Sequence, residues 1–406
     1  MAVKEGRKYI GYQCECCPLY TSVMENINMP QDKVIRTLTD EELYEIALDP
    51  ETLKTIEAVI KENPQFDEMT FKQLQNSNEF QTALKEYRIK NPPALRNIEV
   101  SETMEVLKSV IPKNHIKPNN KLANKMTKDI ISEGEVSLII SNKKSKKEVF
   151  TKVMLDYDDK YVQFSGREKY KPYDQEVYDG VVTLFAANES LFRAEGMLFT
   201  SAMVYRAMNG LTESENVSSA AVELVAKSID KSRFIKTTID YTEEAKLYNK
   251  DVKETLFEGY LLNAEKVKAN INGIEQEVYK LYRKPILYEY AQISGQIITV
   301  PMKLLNTKSK INSTEDVIII RGYLLRQIEW LKNERTNRNE NITYQSIYSE
   351  LEIYKTTYDE AMYKKKTHIT RNNVKAILDE WIEQNYIKKY EEYKEGKTIK
   401  GVTIII

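Results

Sequence analysis

The sequence is poor in the residues that build metal sites and disulfides. Of its 406 residues, three are cysteine and two are histidine. Cys14, Cys16 and Cys17 lie close together, and near-adjacent cysteines pair poorly, so we expect no disulfide framework. A zinc site needs a fourth ligand, and His115 and His368 are far away in the sequence. The pattern leaves zinc binding and inert thiols both open.

Long apolar runs and an excess of one charge are also missing. No stretch approaches the 18 or so apolar residues of a membrane span, and the amino terminus lacks the apolar core of a signal peptide. We therefore expect a cytoplasmic protein with no membrane partner. The 60 Lys and Arg residues are balanced by 61 Asp and Glu residues, which gives a net charge of −1. Any affinity for nucleic acid must come from local basic patches.

Recognisable catalytic motifs are absent. The chain has no Gly-x-x-x-x-Gly-Lys-Ser/Thr loop and no Gly-x-Gly-x-x-Gly motif, so it shows no cradle for a nucleotide. Two histidines cannot build the His-hydrophobe-His metal site of a relaxase-type nuclease. The 27 tyrosines are therefore expected in packing and interfaces rather than as nucleophiles. The sequence predicts no enzyme and no cofactor.

The length predicts two or three domains, and the patterning predicts an α+β fold. Residues 1–115 have mainly helical periodicity, with helices expected from Thr39, over 50–62, over 69–88 and over 101–110. We expect a polar linker over 111–128. Two further domains are predicted, at 130–310 and 311–406. The first of these carries a β-rich extension, in which 257–262, 266–271, 274–282 and 286–291 are interpreted as strands and turns.

The most informative stretch is residues 367–406. Thr370 is interpreted as the N-cap of a helix over 370–385, with Val374, Ile377 and Trp381 on one stripe. Two strands then follow, joined by a turn over 394–397. A helix with a polar first turn followed by a basic-tipped hairpin is typical of a winged helix, although an ordinary amphipathic helix and hairpin remain open.

Two basic patches are candidates for contact with DNA. The first turn of the predicted helix carries side chains that can reach phosphates and base edges, and lysines precede and follow it. The second patch is a predicted hairpin tip between strands 136–141 and 148–155, where a solvated turn is the alternative. The candidate DNA-binding residues are Lys364, Lys365, Lys366, Arg371, Asn372, Asn373, Lys375, Lys397, Lys143, Lys144, Lys146 and Lys147.

The order of three helices and then a strand occurs twice, over 172–241 and over 317–406. The second helices also look alike, because Phe199-Thr200-Ser201-Ala202-Met203-Val204-Tyr205 aligns with Ile342-Thr343-Tyr344-Gln345-Ser346-Ile347-Tyr348. Each block places a threonine at the expected cap. Two matching blocks at matching positions predict two winged-helix units in tandem, joined by a β-rich insert.

The segments Tyr173-Asp174-Gln175-Glu176-Val177-Tyr178-Asp179 and Tyr205-Arg206-Ala207-Met208-Asn209-Gly210 resemble the first winged helix of replication initiators from plasmids and mobile elements. Later segments, such as Pro285-Ile286-Leu287-Tyr288-Glu289-Tyr290-Ala291 and Tyr323-Leu324-Leu325-Arg326, fit the same family. The resemblance covers about residues 171–406. It implies a non-catalytic protein that binds repeated origin DNA, with the second unit reading the major groove.

The sequence departs from that family in its first 110 residues and in its near-neutral charge. Double-stranded DNA is the expected partner. A homodimer, host replication proteins and a protein target of the amino-terminal region are left open. A transcriptional repressor is the alternative with the same DNA-binding parts. An inhibitor from a phage or mobile element, such as an anti-defence or anti-CRISPR protein on a winged-helix scaffold, is the alternative from another class.

Overall fold

The computed structural model describes residues 2–5, 8–12, 50–67, 69, 73–74, 77–90, 97–98, 112–120, 122–127, 135–141, 148–158, 168–189, 196–247, 255–271, 274–333 and 341–406. The chain divides into two compact units, residues 1–94 and 95–406. The predicted helices at Thr39 and at 101–110 lie outside the described residues, as do Cys14, Cys16 and Cys17. The predicted division of the second unit into 130–310 and 311–406 stays a prediction.

The described residues of the first unit form two α-helices and a small antiparallel hairpin, namely α1 (Pro50–Glu62), α2 (Asn78–Lys90), β1 (Ala2–Glu5) and β2 (Lys8–Tyr12). Helix α1 has the predicted bounds. Helix α2 begins later than predicted because the Ser77 hydroxyl accepts a hydrogen bond from the Phe80 amide at 3.2 Å, which caps it there. The rings of Phe66 and Phe80 pack edge to face at 5.2 Å in the core of this unit.

The second unit contains eight helices among its described residues. They are α3 (Pro172–Ala187), α4 (Ser201–Asn209), α5 (Ser219–Arg233), α6 (Thr242–Leu247), α7 (Ile286–Ser294), α8 (Glu315–Asn333), α9 (Tyr344–Glu350) and α10 (Glu360–Glu383). Helix α7 corrects the sequence interpretation, which expected strands and turns over 286–291.

The strands of the described part of this unit form four sheets. They are β3 (Asn97–Ile98), β4 (Asn114–Pro118), β5 (Glu135–Ser141), β6 (Glu148–Tyr157), β7 (Met197–Phe199), β8 (Ile235–Asp240), β9 (Leu256–Tyr260), β10 (Ala264–Ile271), β11 (Ile274–Leu281), β12 (Ile297–Pro301), β13 (Asn341–Thr343), β14 (Lys389–Glu395) and β15 (Thr398–Ile405). The sheet orders are β3-β10-β11-β7, β12-β4, β13-β15-β14 and β5-β6-β8-β9.

Two stretches of the second unit share one order of elements. Each stretch contains a helix, a short strand, two further helices and a hairpin. In the first stretch these are α3, β7, α4, α5 and β10–β11, and in the second they are α8, β13, α9, α10 and β14–β15. In each stretch the short strand pairs with the last strand of the hairpin. The predicted caps are present, since Thr200 and Thr343 each accept a hydrogen bond from an amide three residues later at 3.2 Å.

Strand β8 corrects the predicted topology of the first stretch. We expected three helices and then this strand, in the order of a winged helix, and the strand does follow α5. It pairs, however, with β6 and β9 in a separate sheet, and the hairpin of the first stretch is β10–β11. Strand β6 precedes α3 and is distant in sequence, so alternation along β8 could not reveal this pairing.

The predicted linker over 111–128 is also partly wrong. Residues 114–118 form strand β4, which pairs with β12, and Leu122 and Met126 are buried in the core. Lys117 is fully buried, and its ammonium contacts the carboxylates of Glu176 and Asp179, the latter at 2.9 Å. These ion pairs offset the cost of burying the lysine, which composition alone would place at the surface.

Helix α8 packs on both large cores of the unit. Ile318 and Ile319 belong to the core around α3, whereas Ile320 and Leu324 belong to the core around α10. A side chain at Gly322 would collide with the carboxylate of Glu176, so α8 approaches α3 closely there. The two stretches are therefore packed together through one shared helix.

Candidate nucleic-acid interface

Helix α10 is the element on which most of the predicted contact residues lie. It begins at Glu360 because the Asp359 carboxylate accepts a hydrogen bond from the Met362 amide at 2.8 Å. Thr370 is a buried residue inside the helix, so its assignment as the N-cap is wrong. The residues expected in a polar first turn lie near the middle of a 24-residue helix.

The buried stripe of α10 agrees with the predicted one. Val374, Ile377, Leu378 and Trp381 are fully buried. The indole N–H of Trp381 donates a hydrogen bond to the carbonyl oxygen of Leu304 at 2.9 Å. Because these side chains fix the rotation of the helix, they also fix which residues can face a ligand.

The outward face of α10 is formed by Lys365, His368 and Asn372, all exposed and spaced three and four residues apart. The side-chain nitrogens Nδ2 of Asn372 and Nε2 of His368 lie 3.2 Å apart. Met362 and Ile369 are 42% and 44% exposed beside this face. From residue 364 to residue 375 the sequence holds five Lys and Arg residues and no carboxylate.

Arg371 is held against helix α9. Its Nε donates a hydrogen bond to the Tyr348 hydroxyl at 2.8 Å, and its guanidinium carbon lies 5.3 Å from the centre of the Tyr344 ring. Burial raises the pKa of Tyr344 to about 12, and the nearby Glu392 carboxylate acts in the same direction. Arg371 is half-buried, so one edge of its guanidinium supports the packing of α9 on α10.

Other predicted contact residues have partners of their own. Lys375 forms an ion pair with Glu392 of β14 at 2.8 Å, and Lys364 forms one with Glu360 at 2.6 Å. The ammonium of Lys366 lies 5.0 Å from the centre of the Tyr358 ring. The surface pair of Lys364 is worth little and leaves that lysine able to meet a phosphate.

The remaining predicted residues fall into two groups. Asn373 is half-buried, and Lys397 is exposed in the turn between β14 and β15. Lys143, Lys144, Lys146 and Lys147 lie outside the described residues. The strands that flank them, β5 and β6, pair in register from Glu135 opposite Met154 to Ser141 opposite Glu148, as predicted.

The equivalent helix of the first stretch has a different outward face. On α5 the exposed side chains include Glu223, Leu224 and Lys227, and Glu223 pairs with Lys227 at 2.9 Å. The charges of this carboxylate and this ammonium cancel. On hairpin β10–β11, Lys266 likewise forms an ion pair with Glu277 at 2.7 Å. Local positive charge is therefore found on α10 and not on α5.

Sequence reasoning missed the apolar residues Met362 and Ile369 and the contacts of Arg371 with tyrosines. A longer helix was visible in the sequence, because Tyr363, Thr367 and Thr370 continue the buried stripe upstream with helical spacing. Asp359 is also a favourable cap. The tyrosine contacts depend on the packing of α9, which the sequence does not reveal.

The part of the chain that the structure describes contains no group of three or more His, Cys, Asp or Glu side chains that could hold a metal ion. None of its helices is long and apolar enough to cross a membrane.

No protein-family model matches this sequence, and neither does any curated protein. Two crystal structures of domains 2 and 3 of RctB match part of the chain. Each has a TM-score of 0.32 and 10% sequence identity, covering 67% of this chain and 92% of that chain. At this TM-score the likeness carries no argument about the fold or the function of this chain.

Proposed function

We propose that the chain binds double-stranded DNA through helix α10, as a non-enzymatic protein built on two winged-helix units. The order of helix, strand, two helices and hairpin supports this proposal, together with the sheet order β13-β15-β14. In such a unit the third helix enters the major groove, and the hairpin lies beside it as the wing. Helix α10 has the position of that third helix.

The observation that carries the proposal is the outward face of α10. Lys365 can neutralise a phosphate, and the amide of Asn372 can form a bidentate contact with adenine. Exposed Met362 and Ile369 suit the methyl group of thymine, which apolar side chains contact in the major groove. Charged, amide and apolar groups on one exposed face of a helix are the set that base readout requires.

Within this proposal the second winged helix supplies sequence discrimination. The balanced charges on α5 favour a dimer surface, rather than a further DNA contact, as the role of the first one. Two units in one chain suit an origin-binding initiator, because such a protein reads repeated sites. A transcriptional repressor could use the same DNA-binding elements. The arrangement of the bound sites in the genome distinguishes it from an initiator, which binds an array of repeats.

The test is recovery of bound DNA from a random-fragment pool by the full chain, followed by measurement of affinity for the selected site. We expect Asn372→Ala to weaken binding to that site about ten-fold or more, since a bidentate base contact contributes roughly 1–3 kcal/mol. Binding to unrelated DNA should change little. Lys227→Ala on the equivalent helix is the control and should leave both affinities unchanged.

Arg371→Ala needs a separate measurement of stability, because this arginine also ties α10 to Tyr348. Equal binding of the wild type and Asn372→Ala to the selected site removes the outward face of α10 from base readout. If the pool yields no bound DNA, a protein-binding inhibitor becomes the better proposal.

A further inference from the structure

Arg371 lies on the flank of α10, between the buried stripe and the outward face. Its neighbour Thr370 is buried in the core, and its neighbour Asn372 is exposed. Arg371 itself is half-buried and bonded to Tyr348, so it lies on the side of α10 that faces α9. What this arginine can bind depends on which of its nitrogens the protein already uses.

Two tyrosines of α9 hold the guanidinium group of Arg371. Tyr344 and Tyr348 are four residues apart on one face of α9, and their rings stack with centres 6.2 Å apart. The Tyr348 hydroxyl accepts a hydrogen bond from Nε at 2.8 Å, and the guanidinium carbon lies 5.3 Å from the centre of the Tyr344 ring. Both rings are nearly fully buried, so these contacts fix the plane of the guanidinium.

The hydroxyl of Tyr348 is suited to this contact because it stays neutral. Burial raises the pKa of Tyr348, and the hydrogen bond from Arg371 only partly opposes this rise. The oxygen therefore accepts from Nε without neutralising the guanidinium. Arg371 keeps its full positive charge for a ligand.

The two terminal nitrogens of Arg371 are available. Nη1 and Nη2 form no hydrogen bond or ion pair within the described part of the chain. Glu392 is the carboxylate near this arginine, but it is bonded to Lys375 at 2.8 Å. Both nitrogens are accessible to solvent, since the buried side-chain atoms without a partner do not include them. The end of the side chain is therefore open to a ligand.

The end of a guanidinium group carries two parallel N–H donors, which match two acceptors in one plane. In the major groove, guanine presents such a pair as O6 and N7, and arginine is its commonest partner. Because Nε is occupied by Tyr348, only this end-on approach remains. A fixed plane is useful for reading a base, whereas a phosphate contact positions the protein without reading sequence and does not require one.

We propose that Tyr348 is a positioning residue for base readout, which holds Arg371 so that Nη1 and Nη2 donate to O6 and N7 of a guanine. This inference rests on the DNA-binding function proposed for α10. Asn372 is the next residue of the helix, so the guanine lies close to the adenine proposed as its partner. Tyr348 then determines a base preference without touching the DNA.

The experiment is selection of DNA from a random pool by the full chain, by Tyr348→Phe and by Arg371→Lys. The phenylalanine keeps the buried ring and removes only the hydroxyl, and the lysine keeps the charge without the planar fork. We expect the wild type to select guanine at one position. Both variants should lose this preference at that same position and keep the preferences at all others.

A change in the DNA tests the same contact with the unaltered protein. In 7-deazaguanine a carbon replaces N7, and pairing with cytosine is retained. Placed at the selected position, this base should weaken binding of the wild type about five-fold or more, because one of the two hydrogen bonds is lost. Binding of Tyr348→Phe should change less than about two-fold, since it no longer holds the arginine in place.

Tyr386→Phe is the matched control. It also removes a tyrosine hydroxyl in the second stretch, one that bonds to Glu329 of α8 at 2.7 Å, and it should keep the guanine preference of the wild type. Thermal unfolding checks that each variant is folded.

An unchanged guanine preference in Tyr348→Phe overturns the proposal. Loss of preference at every position does so as well, because it shows that Tyr348 only supports the fold. Equal weakening of all sequences by Arg371→Lys identifies a phosphate contact and also overturns it. A wild type that selects a site without sensitivity to 7-deazaguanine contradicts this inference alone, whereas recovery of no DNA by the wild type contradicts DNA binding itself.

Discussion

His115 is the buried titratable residue with the clearest consequence for stability. It is 1% exposed, and its Nδ1 lies 2.9 Å from the Thr183 hydroxyl. Burial lowers its pKa well below the usual value, and the nearby charges of Lys117 and Arg321 act in the same direction. The imidazole is therefore neutral in the folded chain over the whole range near neutral pH.

We predict that this histidine destabilises the fold in mild acid. Below the unfolded pKa of about 6.5, the unfolded chain binds a proton that the folded chain does not. The free energy of unfolding should therefore fall by about 1.4 kcal/mol from this group between pH 7.5 and pH 5.5. Urea unfolding of the wild type and His115→Gln at the two pH values measures the difference.

His368→Gln is the matched control for this experiment, because it removes the other histidine of the sequence, which is exposed. Asp179 has the opposite effect on the wild type, since burial raises its pKa and the folded carboxyl keeps its proton to higher pH. Asp179 is present in the wild type and in both variants, so its contribution cancels when their pH dependences are compared. Equal pH dependence in the wild type and His115→Gln would contradict the prediction.

At the scale of elements, the spacing of apolar residues predicted the buried faces of helices but not which strands pair. The apolar spacing predicted the stripe from Val374 to Trp381, because burial of one face imposes a period of 3.6 on any such helix. The start of α10 was missed because Thr370 was interpreted as the cap, although the buried stripe continues upstream through Thr367 and Tyr363. Strand β8 was predicted but its pairing was not, and β4 was interpreted as linker. The partners of these strands, β6 and β12, are separated from them in the sequence by several other elements.

The candidate site was predicted in part for the same reason. The cations of α10 are visible in sequence, but the packing of Tyr348 on Arg371 and the pairing of Glu392 with Lys375 depend on neighbouring elements. Which of these residues contact DNA stays a prediction.

The lysines of helix α10 lead to a prediction about the salt dependence of DNA binding. Replacement of Lys364, Lys365 and Lys366 by alanine should lower affinity on all DNA sequences alike, because phosphate contacts carry no sequence information. The slope of log K against log salt should flatten by about 0.9 for each phosphate that the variant no longer neutralises. Filter-binding or fluorescence titration over a range of salt concentrations measures this slope.

A control with the same change of charge is available on other surfaces of the chain, namely Lys227, Lys246 and Lys268 together replaced by alanine. These three lysines are each paired with a glutamate at the surface. An equal flattening of the slope in both triple variants would show that net charge matters and that α10 is not the contact.

For the second unit as a whole, Arg321 links by hydrogen bonds the two stretches that share one order of elements. It lies on α8 and is 1% exposed. Its guanidinium donates to the carbonyl of Met208 at 2.8 Å, to the side chain of Asn209 at 2.9 Å and to the carbonyl of Leu305. Burial lowers its pKa to about 10, so it remains charged at neutral pH.

We predict that residues 112–406 unfold in a single transition and that Arg321→Met separates it into two. The substitution leaves buried acceptors without a donor, at a cost of about 3 kcal/mol or more in total. Denaturant unfolding followed by near-ultraviolet circular dichroism and by tryptophan fluorescence should then give different midpoints, because both tryptophans, Trp330 and Trp381, lie in the second stretch. Lys303→Met, on an exposed residue near Leu305, should preserve coincident midpoints.

The segment from β8 to β9 lies between α5 and β10 of the first stretch, and hydrogen bonds join the residues on either side of it. The amide of Leu261 donates to the carbonyl of Ile235 at 2.8 Å, and the amide of Leu262 donates to that of Ser232 at 3.3 Å. The two ends of this segment of about 25 residues are therefore adjacent. Because β6 pairs with β8, a gene can gain or lose this segment only together with hairpin β5–β6, so relatives of the protein should contain both or neither.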